Sequence, residues 1–326
     1  MVALMPNFIK NISYYLPEKT IDCLELEKQH PDWDIANTIT KTGVHKIHHA
    51  ASDERTVEMA VRAAKNLLAE TKCVPDTIIV CTQTPDTLLP QCSSQLQHML
   101  GLPNSTMCLD INLGCSGYTH GLATAYSYLS SGISKKILFI TVDNYSKVVD
   151  PENKKVFLLF SDASSATLLS ETENRPVFRF GTDGSRSQAI ACKNSGVSVV
   201  TGENKDSSIK KPSFEMDGYG VFLFTLGTIP NEIQQLMNDA GASIEDIDLF
   251  VLHQASRYVL ESIQKKLGIP EDKLIIDLEE VGNTTSSSIP IALKRAETAG
   301  KLKRGDKILL FGFGIGLSWG GAILEY

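Results

Sequence analysis

Cys115 is the residue in this chain best suited to nucleophilic chemistry. It lies in the run Leu109–Tyr118, where an apolar, strand-like stretch stops at Gly114 and small residues precede a helical pattern. A thiol at a helix N-terminus faces unpaired backbone N–H groups and the positive end of the helix dipole, which lower its pKa. The resulting thiolate attacks carbonyl carbon. The pattern therefore predicts a nucleophile at Cys115, and the alternative is a buried core cysteine without a chemical role.

His253 and Asn283 occupy the same kind of position in the second half of the chain. His253 follows the apolar run Leu249–Leu252, and Asn283 lies in the polar run Gly282–Pro290 that enters a helix. Side chains beyond the carboxyl ends of parallel strands gather at one edge of a sheet. Taken alone, His253 is better explained as a histidine bonded to the backbone, and Asn283 as an ordinary helix cap or turn residue. Together with Cys115, the two residues predict a joint site.

The elements that must position these residues recur along the chain. Leu100–Pro103 reappears as Leu267–Pro270, and the strand and helix patterns around each copy match at an offset of about 170 residues. Strands that alternate with helices indicate mainly parallel connections and a layered α/β architecture. The repeat therefore predicts two related halves, residues 1–172 with the cysteine and residues 173–326 with the histidine and the asparagine.

Individual elements follow from hydrophobic periodicity. The pattern predicts a strand over residues 7–16, an acidic helix over Ile21–His30 and a helix over Thr56–Leu68. Thr77–Thr82 is apolar and β-branched, which is typical of a central strand buried on both faces. By analogy with the first half, Asp277–Asn283 is expected to form a strand that ends in a glycine turn.

Composition excludes several classes of function. The formal net charge of −7 argues against sequence-independent binding of nucleic acid. The seven cysteines are odd in number, scattered and without a C-x-x-C pair, so the sequence predicts neither a disulfide framework nor a metal site. The chain starts without a basic segment followed by an apolar one, and no run approaches the ~20 apolar residues of a membrane span. We therefore expect a cytoplasmic protein that does not associate with membranes.

Four motifs carry a resemblance to a known family. They are Gly114–Gly117, His253–Ala255, Gly282–Thr284 and Gly312–Gly320. With these motifs nearly the whole chain resembles the β-ketoacyl-acyl-carrier-protein synthase III family of the thiolase superfamily. The resemblance implies a duplicated, five-layered αβαβα fold, a homodimer and a catalytic triad of Cys115, His253 and Asn283.

The resemblance also implies a decarboxylative Claisen condensation. An acyl-CoA or acyl carrier protein would transfer its acyl group to Cys115, and malonyl carrier protein or malonyl-CoA would then lose carbon dioxide and attack that group. His253 and Asn283 would stabilise the developing negative charge. Backbone N–H groups of Cys115 and Ile315 would form the oxyanion hole, although the family often has glycine where Ile315 stands. No metal or redox cofactor is needed for this chemistry.

Substrate-binding positions follow from the same resemblance. Trp33 corresponds to a tryptophan that stacks on the adenine of coenzyme A, and Lys41 and Lys154 replace arginines at its nucleotide end. The remaining positions are Gly218 beside the pantetheine arm, Phe313 near the tunnel wall and Leu89, which would close the acyl pocket of the partner subunit. Lysine keeps the charge but loses the planar, bidentate contact that arginine makes with phosphate.

Docking of the acidic carrier protein would use Arg257, Lys265 and Lys266. The basic positions that the family uses appear here as Leu223 and Tyr258, and a solvated helix face explains the remaining three charges equally well. Together with the lysines at positions 41 and 154, these differences weaken the case for the initiator of fatty-acid synthesis and leave a specialised acyl or secondary-metabolite pathway as the other interpretation.

Two alternatives keep the fold but change the function. In the first, the acyl group passes from Cys115 to an alcohol or an amine without decarboxylation, with His253 as general base. In the second, the protein is a non-catalytic module that binds acyl carrier protein. Asp143 and Asp162 close apolar strands and are interpreted as turn caps without chemistry.

Overall fold

Two sheets form the centre of the molecule. The computed structural model describes residues 7–196 and 212–326. Its strands are β1 (Ile9–Tyr15), β2 (Thr20–Asp22), β3 (Lys46–His48), β4 (Thr77–Cys81), β5 (Met107–Ile111), β6 (Lys136–Asp143), β7 (Ala163–Ser170), β8 (Val177–Thr182), β9 (Ile190–Lys193), β10 (Ser213–Met216), β11 (Leu249–Leu252), β12 (Lys307–Gly314) and β13 (Ser318–Glu325). Its helices are α1 (Ile35–Thr42), α2 (Thr56–Thr71), α3 (Cys92–Met99), α4 (Gly117–Ser130), α5 (Lys154–Phe157), α6 (Gly218–Asp239), α7 (Arg257–Leu267) and α8 (Ser288–Thr298).

The two sheets repeat one strand order. The first runs β1-β7-β6-β4-β5, with β4 parallel to β5 and β6 and with β7 antiparallel to β6 and β1. The second runs β8-β13-β12-β11, with β11 parallel to β12 and with β13 antiparallel to β12 and β8. The orders coincide when β11 is matched to β4, β12 to β6, β13 to β7 and β8 to β1. The predicted duplicated α/β architecture is confirmed.

The helices complete five layers. Helices α4 and α8 lie between the sheets, because each contacts strands of both. Helices α2 and α3 cover the outer face of the first sheet, and α6 covers that of the second with α7 packed against it. Helix α4 approaches β6 closely at Gly121, where a Cβ would collide with the ring of Phe139. This close approach brings the N-terminus of α4, next to Cys115, into the middle of the molecule.

Among the described residues the second sheet has no counterpart to β5, and Asp277–Asn283 form no strand, so the strand predicted there is wrong. Near that segment only Leu274 forms a bridge to the sheet, with Phe250. The backbone of the segment pairs instead with the first half: the Glu279 carbonyl accepts from His45 N, and Asn283 N donates to Leu159 O at 2.9 Å. The segment therefore crosses between the halves and presents Asn283 at their junction.

Most of the secondary-structure predictions for the first half are confirmed, and one is wrong. The helix predicted from Thr56 and the buried strand predicted from Thr77 are confirmed as α2 and β4, and every residue of β4 is buried. The acidic helix predicted over Ile21–His30 is wrong. Ile21 pairs with β3 as part of β2, and a 3-10 turn over Leu24–Lys28 follows, started by the Asp22 side chain accepting from Leu24 N at 2.9 Å. A local side-chain bond to the backbone outweighed helical periodicity here.

We propose that the two halves meet at residues 172 and 173. This assignment is supported by the end of the first sheet at Ser170 and the start of the second at Val177. No helix in residues 7–196 or 212–326 is long and apolar enough to cross a membrane.

Candidate active site

Cys115 lies in a tight turn between β5 and α4, where Gly117 N donates to Gly114 O at 2.7 Å. The cysteine is buried because β12 of the other half passes directly against it. A Cβ on Gly312 would lie 2.7 Å from Cys115 O, and one on Gly314 would lie 2.8 Å from Cys115 Sγ. The glycines of the C-terminal motif therefore leave the space that the nucleophile occupies.

Burial and, to a lesser extent, the nearby charge of Asp143 raise the pKa of the Cys115 thiol to about 12. Hydrogen bonds to the sulfur from the backbone N–H groups of Ile315 and of Cys115 itself act in the opposite direction. The prediction of a lowered pKa at this position is wrong, because desolvation of the thiolate outweighs these two backbone hydrogen bonds. The resting nucleophile is a thiol that faces two backbone donors.

His253 follows β11 and is fixed at both its backbone and its ring. Its N–H donates to Phe311 O at 2.8 Å, and its Nδ1 lies 2.8 Å from Ser288 Oγ at the start of α8. Burial lowers the pKa of the imidazole to about 3, and a hydrogen bond with the backbone of Thr285 opposes this shift. The ring is therefore neutral at physiological pH and can still donate one hydrogen bond.

Asn283 is held by the crossing segment that precedes α8. Gly282 has φ +68°, a conformation that favours glycine, and a Cβ there would lie 3.2 Å from Leu159 O. The Oδ1 atom of Asn283 accepts from Thr285 N at 3.0 Å, which fixes the orientation of the carboxamide. Within residues 7–196 and 212–326, its Nδ2 has only a long contact, 3.5 Å to Ala255 O. The amide N–H groups therefore remain available to a ligand.

Asp143, at the end of β6, is the residue whose importance the sequence analysis missed. It is fully buried and accepts hydrogen bonds from Gln83 N at 2.8 Å, Thr285 Oγ1 at 2.7 Å and Ser286 Oγ at 2.6 Å. Burial raises the pKa of its carboxyl group to about 6, although these hydrogen bonds oppose the shift. Asp143 thus ties the end of β4 to the loop that presents Asn283. The hydroxyl-rich run after Asn283 was the available signal, since buried hydroxyls need an acceptor.

One cavity of about 360 Å³ brings the three predicted catalytic residues together. Cys115, His253 and Asn283 all line it, and its wall is mostly apolar. The predicted substrate-binding residues Lys41, Gly218 and Phe313 line the same cavity.

A second cavity, of about 450 Å³, adjoins the first through the shared residue Met216. Trp33 and Lys154 line it, so the predicted coenzyme A residues divide between two neighbouring cavities. Trp33 is buried, and His30 stacks on one face of its indole at a ring-centroid distance of 4.0 Å. An adenine ring would need the other face or a displaced His30.

The remaining predicted residues lie outside these two cavities. The side chain of Leu89 is 85% exposed. Arg257 begins α7 and packs against Gly43, Lys265 is exposed, and Lys266 Nζ donates to Leu226 O at 2.8 Å. Within the described ranges, no group of three or more His, Cys, Asp and Glu side chains is arranged to hold a metal ion.

Comparisons with known proteins agree with this geometry. Residues 109–184 match the family described as 3-oxoacyl-[acyl-carrier-protein (ACP)] synthase III, and residues 237–326 match its C-terminal part. β-Ketoacyl-[acyl-carrier-protein] synthase III 2 of Halalkalibacterium halodurans is 35% identical over 98% of this chain and 96% of that protein. A crystal structure of a 3-oxoacyl-(acyl-carrier-protein) synthase III has a TM-score of 0.90 at 36% identity, covering 98% of this chain and 100% of the other. A priming β-ketosynthase from a polyketide biosynthetic pathway has a TM-score of 0.88 at 26% identity, covering 100% and 98%.

Proposed function

This chain belongs to the 3-oxoacyl-[acyl-carrier-protein] synthase III family, and on that premise we propose that it catalyses a decarboxylative Claisen condensation. Cys115 receives an acyl group from acyl-CoA or acyl carrier protein. That group is then joined to the carbon that malonyl carrier protein or malonyl-CoA exposes when it loses carbon dioxide. The observation that carries this proposal is the single apolar cavity lined by Cys115, His253 and Asn283.

The first step is a thioester exchange at Cys115. The sulfur attacks the carbonyl carbon, the bond from that carbon to the donor thiol breaks, and the Cys115 proton leaves with the donor thiol. The N–H groups of Cys115 and Ile315 donate to Sγ, which supports their assignment as the two donors to the oxygen of the tetrahedral intermediate. Each such donor contributes on the order of 3 kcal/mol to the transition state.

The second step forms the carbon–carbon bond. The malonyl carboxylate leaves as carbon dioxide, and its electron pair forms an enolate whose oxygen accepts from His253 and from Asn283 Nδ2. The enolate carbon attacks the acyl group, and the bond to Cys115 Sγ breaks. The product is a 3-oxoacyl thioester two carbons longer than the primer, and Cys115 takes up a proton.

Substrate delivery uses the two adjoining cavities. We assign the pantetheine arm to the first cavity, beside Gly218 and Phe313, with Lys41 at its wall. The nucleotide end of coenzyme A is assigned to the second cavity, where Trp33 and Lys154 lie. Both lysines supply positive charge to phosphate as point donors.

Docking of an acyl carrier protein is assigned to the exposed face beside the first cavity. Arg257 and Lys265 supply positive charge there, and Lys266 contributes less because its ammonium group binds a backbone carbonyl. Exposed Leu223 and Tyr258 replace charge with apolar surface on the same face. Apolar contact would then contribute more than electrostatic steering to this encounter.

A homodimer is proposed from the first sheet. Strand β5 is an edge strand, and such an edge favours pairing with a second chain. The exposed side chain of Leu89 is then assigned to the partner's acyl pocket. The cytoplasmic location predicted from the sequence stays a prediction, with which the seven free cysteines are consistent.

Intact-mass spectrometry with labelled substrates tests the function. We expect acyl-CoA to add one acyl group to the wild-type chain and none to Cys115→Ala. Malonyl thioester labelled at C2 should then release carbon dioxide and leave its label in a 3-oxoacyl product. An adduct that persists in Cys115→Ala would refute the assignment of the nucleophile. Transfer of the acyl group to an alcohol or amine without uptake of label would instead support the alternative acyltransferase.

A further inference from the structure

A third cavity, of about 430 Å³, lies beside the nucleophile. The assignments above give it no function. Ile190 lines both this cavity and the one that contains Cys115. Ile315, whose N–H reaches Cys115 Sγ, also lines it. A water molecule occupies about 30 Å³ of liquid, so the space holds roughly ten groups of that size. A two-carbon acyl group on Cys115 would leave most of this volume unfilled.

Two polar side chains that are hydrogen-bonded to each other line this cavity. The hydroxyl of Tyr145 donates to Gln83 Oε1 at 3.1 Å, and both side chains line the space. The ring of Tyr145 stacks on Phe160 at 5.3 Å and meets Phe214 edge-on at 5.2 Å, which restricts its movement. The hydroxyl therefore holds the carboxamide of Gln83 in one orientation, with the oxygen occupied.

The carboxamide of Gln83 also lies against the turn that carries the nucleophile. A Cβ on Gly114 would collide with Gln83 Oε1, and Gly114 directly precedes Cys115. Ile315 Cδ1 would lie 3.3 Å from the same Cβ, and Ile315 and Gln83 both line this cavity, so an acyl group that extends from Cys115 into the cavity would lie beside the amide. The Gln83 backbone N–H is bound to Asp143 at 2.8 Å, which fixes the residue from the other side.

The amide nitrogen of Gln83 is the unused donor of this arrangement. It donates no hydrogen bond to any group in residues 7–196 or 212–326, whereas its oxygen is engaged by Tyr145. An unsubstituted acyl chain packed against this nitrogen would remove water from it and return no acceptor, which is unfavourable. An oxygen on the acyl chain would replace that water.

We propose that the primer acyl group carries a hydroxyl or keto oxygen on one of the carbons next to its thioester carbonyl, and that Gln83 binds this oxygen. The inference rests on the proposed function, since it concerns the acyl group that Cys115 accepts. Gln83 is then the residue that determines primer specificity, and Tyr145 is the residue that orients it. A site built to hydrogen-bond a substrate oxygen discriminates strongly against the analogue that lacks it.

Rates of Cys115 acylation by matched four-carbon thioesters test this proposal. The probes are butyryl-CoA and its 2-hydroxy, 3-hydroxy and 4-hydroxy derivatives, each followed by intact mass. We expect the full-length wild-type protein to prefer the 2-hydroxy or the 3-hydroxy ester over butyryl-CoA by tenfold or more, and to show no such preference for the 4-hydroxy ester. Gln83→Leu should abolish that preference while retaining acylation by butyryl-CoA, and Tyr145→Phe should reduce the preference. Val148→Ala, a change of apolar size in the wall of this cavity alone, should leave it unchanged.

The outcomes separate this inference from the function on which it rests. If no thioester forms an adduct, the proposed function fails. If all four form adducts at equal rates in the wild type, the condensing function survives and the inference is overturned. A preference that persists in both Gln83→Leu and a second variant, Gln83→Met, also overturns it. Far-ultraviolet circular dichroism of each variant shows whether it is folded. If Gln83→Leu is misfolded, the acylation rates of Gln83→Met decide the result.

Discussion

Asp143→Asn tests the electrostatic description of the site most directly. The change removes a buried negative charge but keeps a side chain of nearly the same shape. In the wild type the carboxylate accepts from Gln83 N, Thr285 Oγ1 and Ser286 Oγ. An asparagine oxygen retains some of these bonds and loses their charge assistance, which costs a pH-independent amount of stability. The pH-dependent part of the effect carries the test.

The pH-dependent part follows from the raised pKa of Asp143. Burial raises the pKa of this carboxyl from 3.8 to about 6 in the folded protein. Between the two values the folded state binds more protons than the unfolded state, so the free energy of unfolding falls as pH rises through this window. A difference of roughly two pKa units corresponds to about 3 kcal/mol. The free energy of unfolding of Asp143→Asn does not fall in this way, because asparagine does not titrate.

Urea unfolding of both proteins at several pH values from about 4 to 7 measures the effect. We expect the unfolding free energy of Asp143→Asn, minus that of the wild type, to rise by about 3 kcal/mol across this range. The lowered pKa of His253 acts in the opposite direction in both proteins and cancels in the difference. Cys115 and Cys81, whose pKa values are raised by burial, do not titrate in this range. A difference that stays constant with pH would refute the reasoning.

Three further substitutions test single contacts. Gly314→Ala places a methyl group 2.8 Å from Cys115 Sγ. We therefore expect alkylation of Cys115 by iodoacetamide to slow at least tenfold. An unchanged rate would contradict the close approach of β12. Ser288→Ala removes the 2.8 Å contact with His253 Nδ1. Carbon dioxide release should therefore fall while the acyl adduct is still detected by mass. Equal loss of both would contradict a role of this contact in the second, decarboxylating step. Gly121→Ala drives a methyl group into the ring of Phe139 and should cost about 1–3 kcal/mol in urea unfolding. Its control, Gly227→Ala, has open space around its Cβ in α6 and should be neutral or stabilising.

Patterns that depend on near neighbours in the chain were readable from the sequence. The buried run that forms β4 and the periodic run that forms α2 predicted those elements, since each is decided by its own apolar residues. Cys115, His253 and Asn283 were identified because each follows an apolar run or a glycine turn, and the edge of a sheet gathers such positions. The repeat predicted two related α/β halves, whereas the order of the strands within each sheet is known from the structure.

Features that depend on the other half of the molecule were not readable. The pKa of Cys115 is raised because Gly312 and Gly314 let β12 exclude water from the thiol. The segment before Asn283 forms no strand because loops of the first half offer it hydrogen-bond partners. Asp143 resembles a turn cap until the hydroxyls of Thr285 and Ser286 are seen to converge on it. In each case the deciding contact joins residues more than a hundred positions apart.

The lowered pKa of His253 also bears on which reaction the site favours. Transfer of an acyl group to an alcohol or amine needs a base, and a base works best when its pKa is close to the working pH. Burial brings the pKa of His253 to about 3, so the imidazole binds a proton weakly at neutral pH. The same burial strengthens the hydrogen bond that its remaining N–H donates to an anion. Condensation requires hydrogen-bond donors to an enolate oxygen, and the buried His253 meets this requirement. Acyl transfer requires a base, and the buried His253 is a poor one.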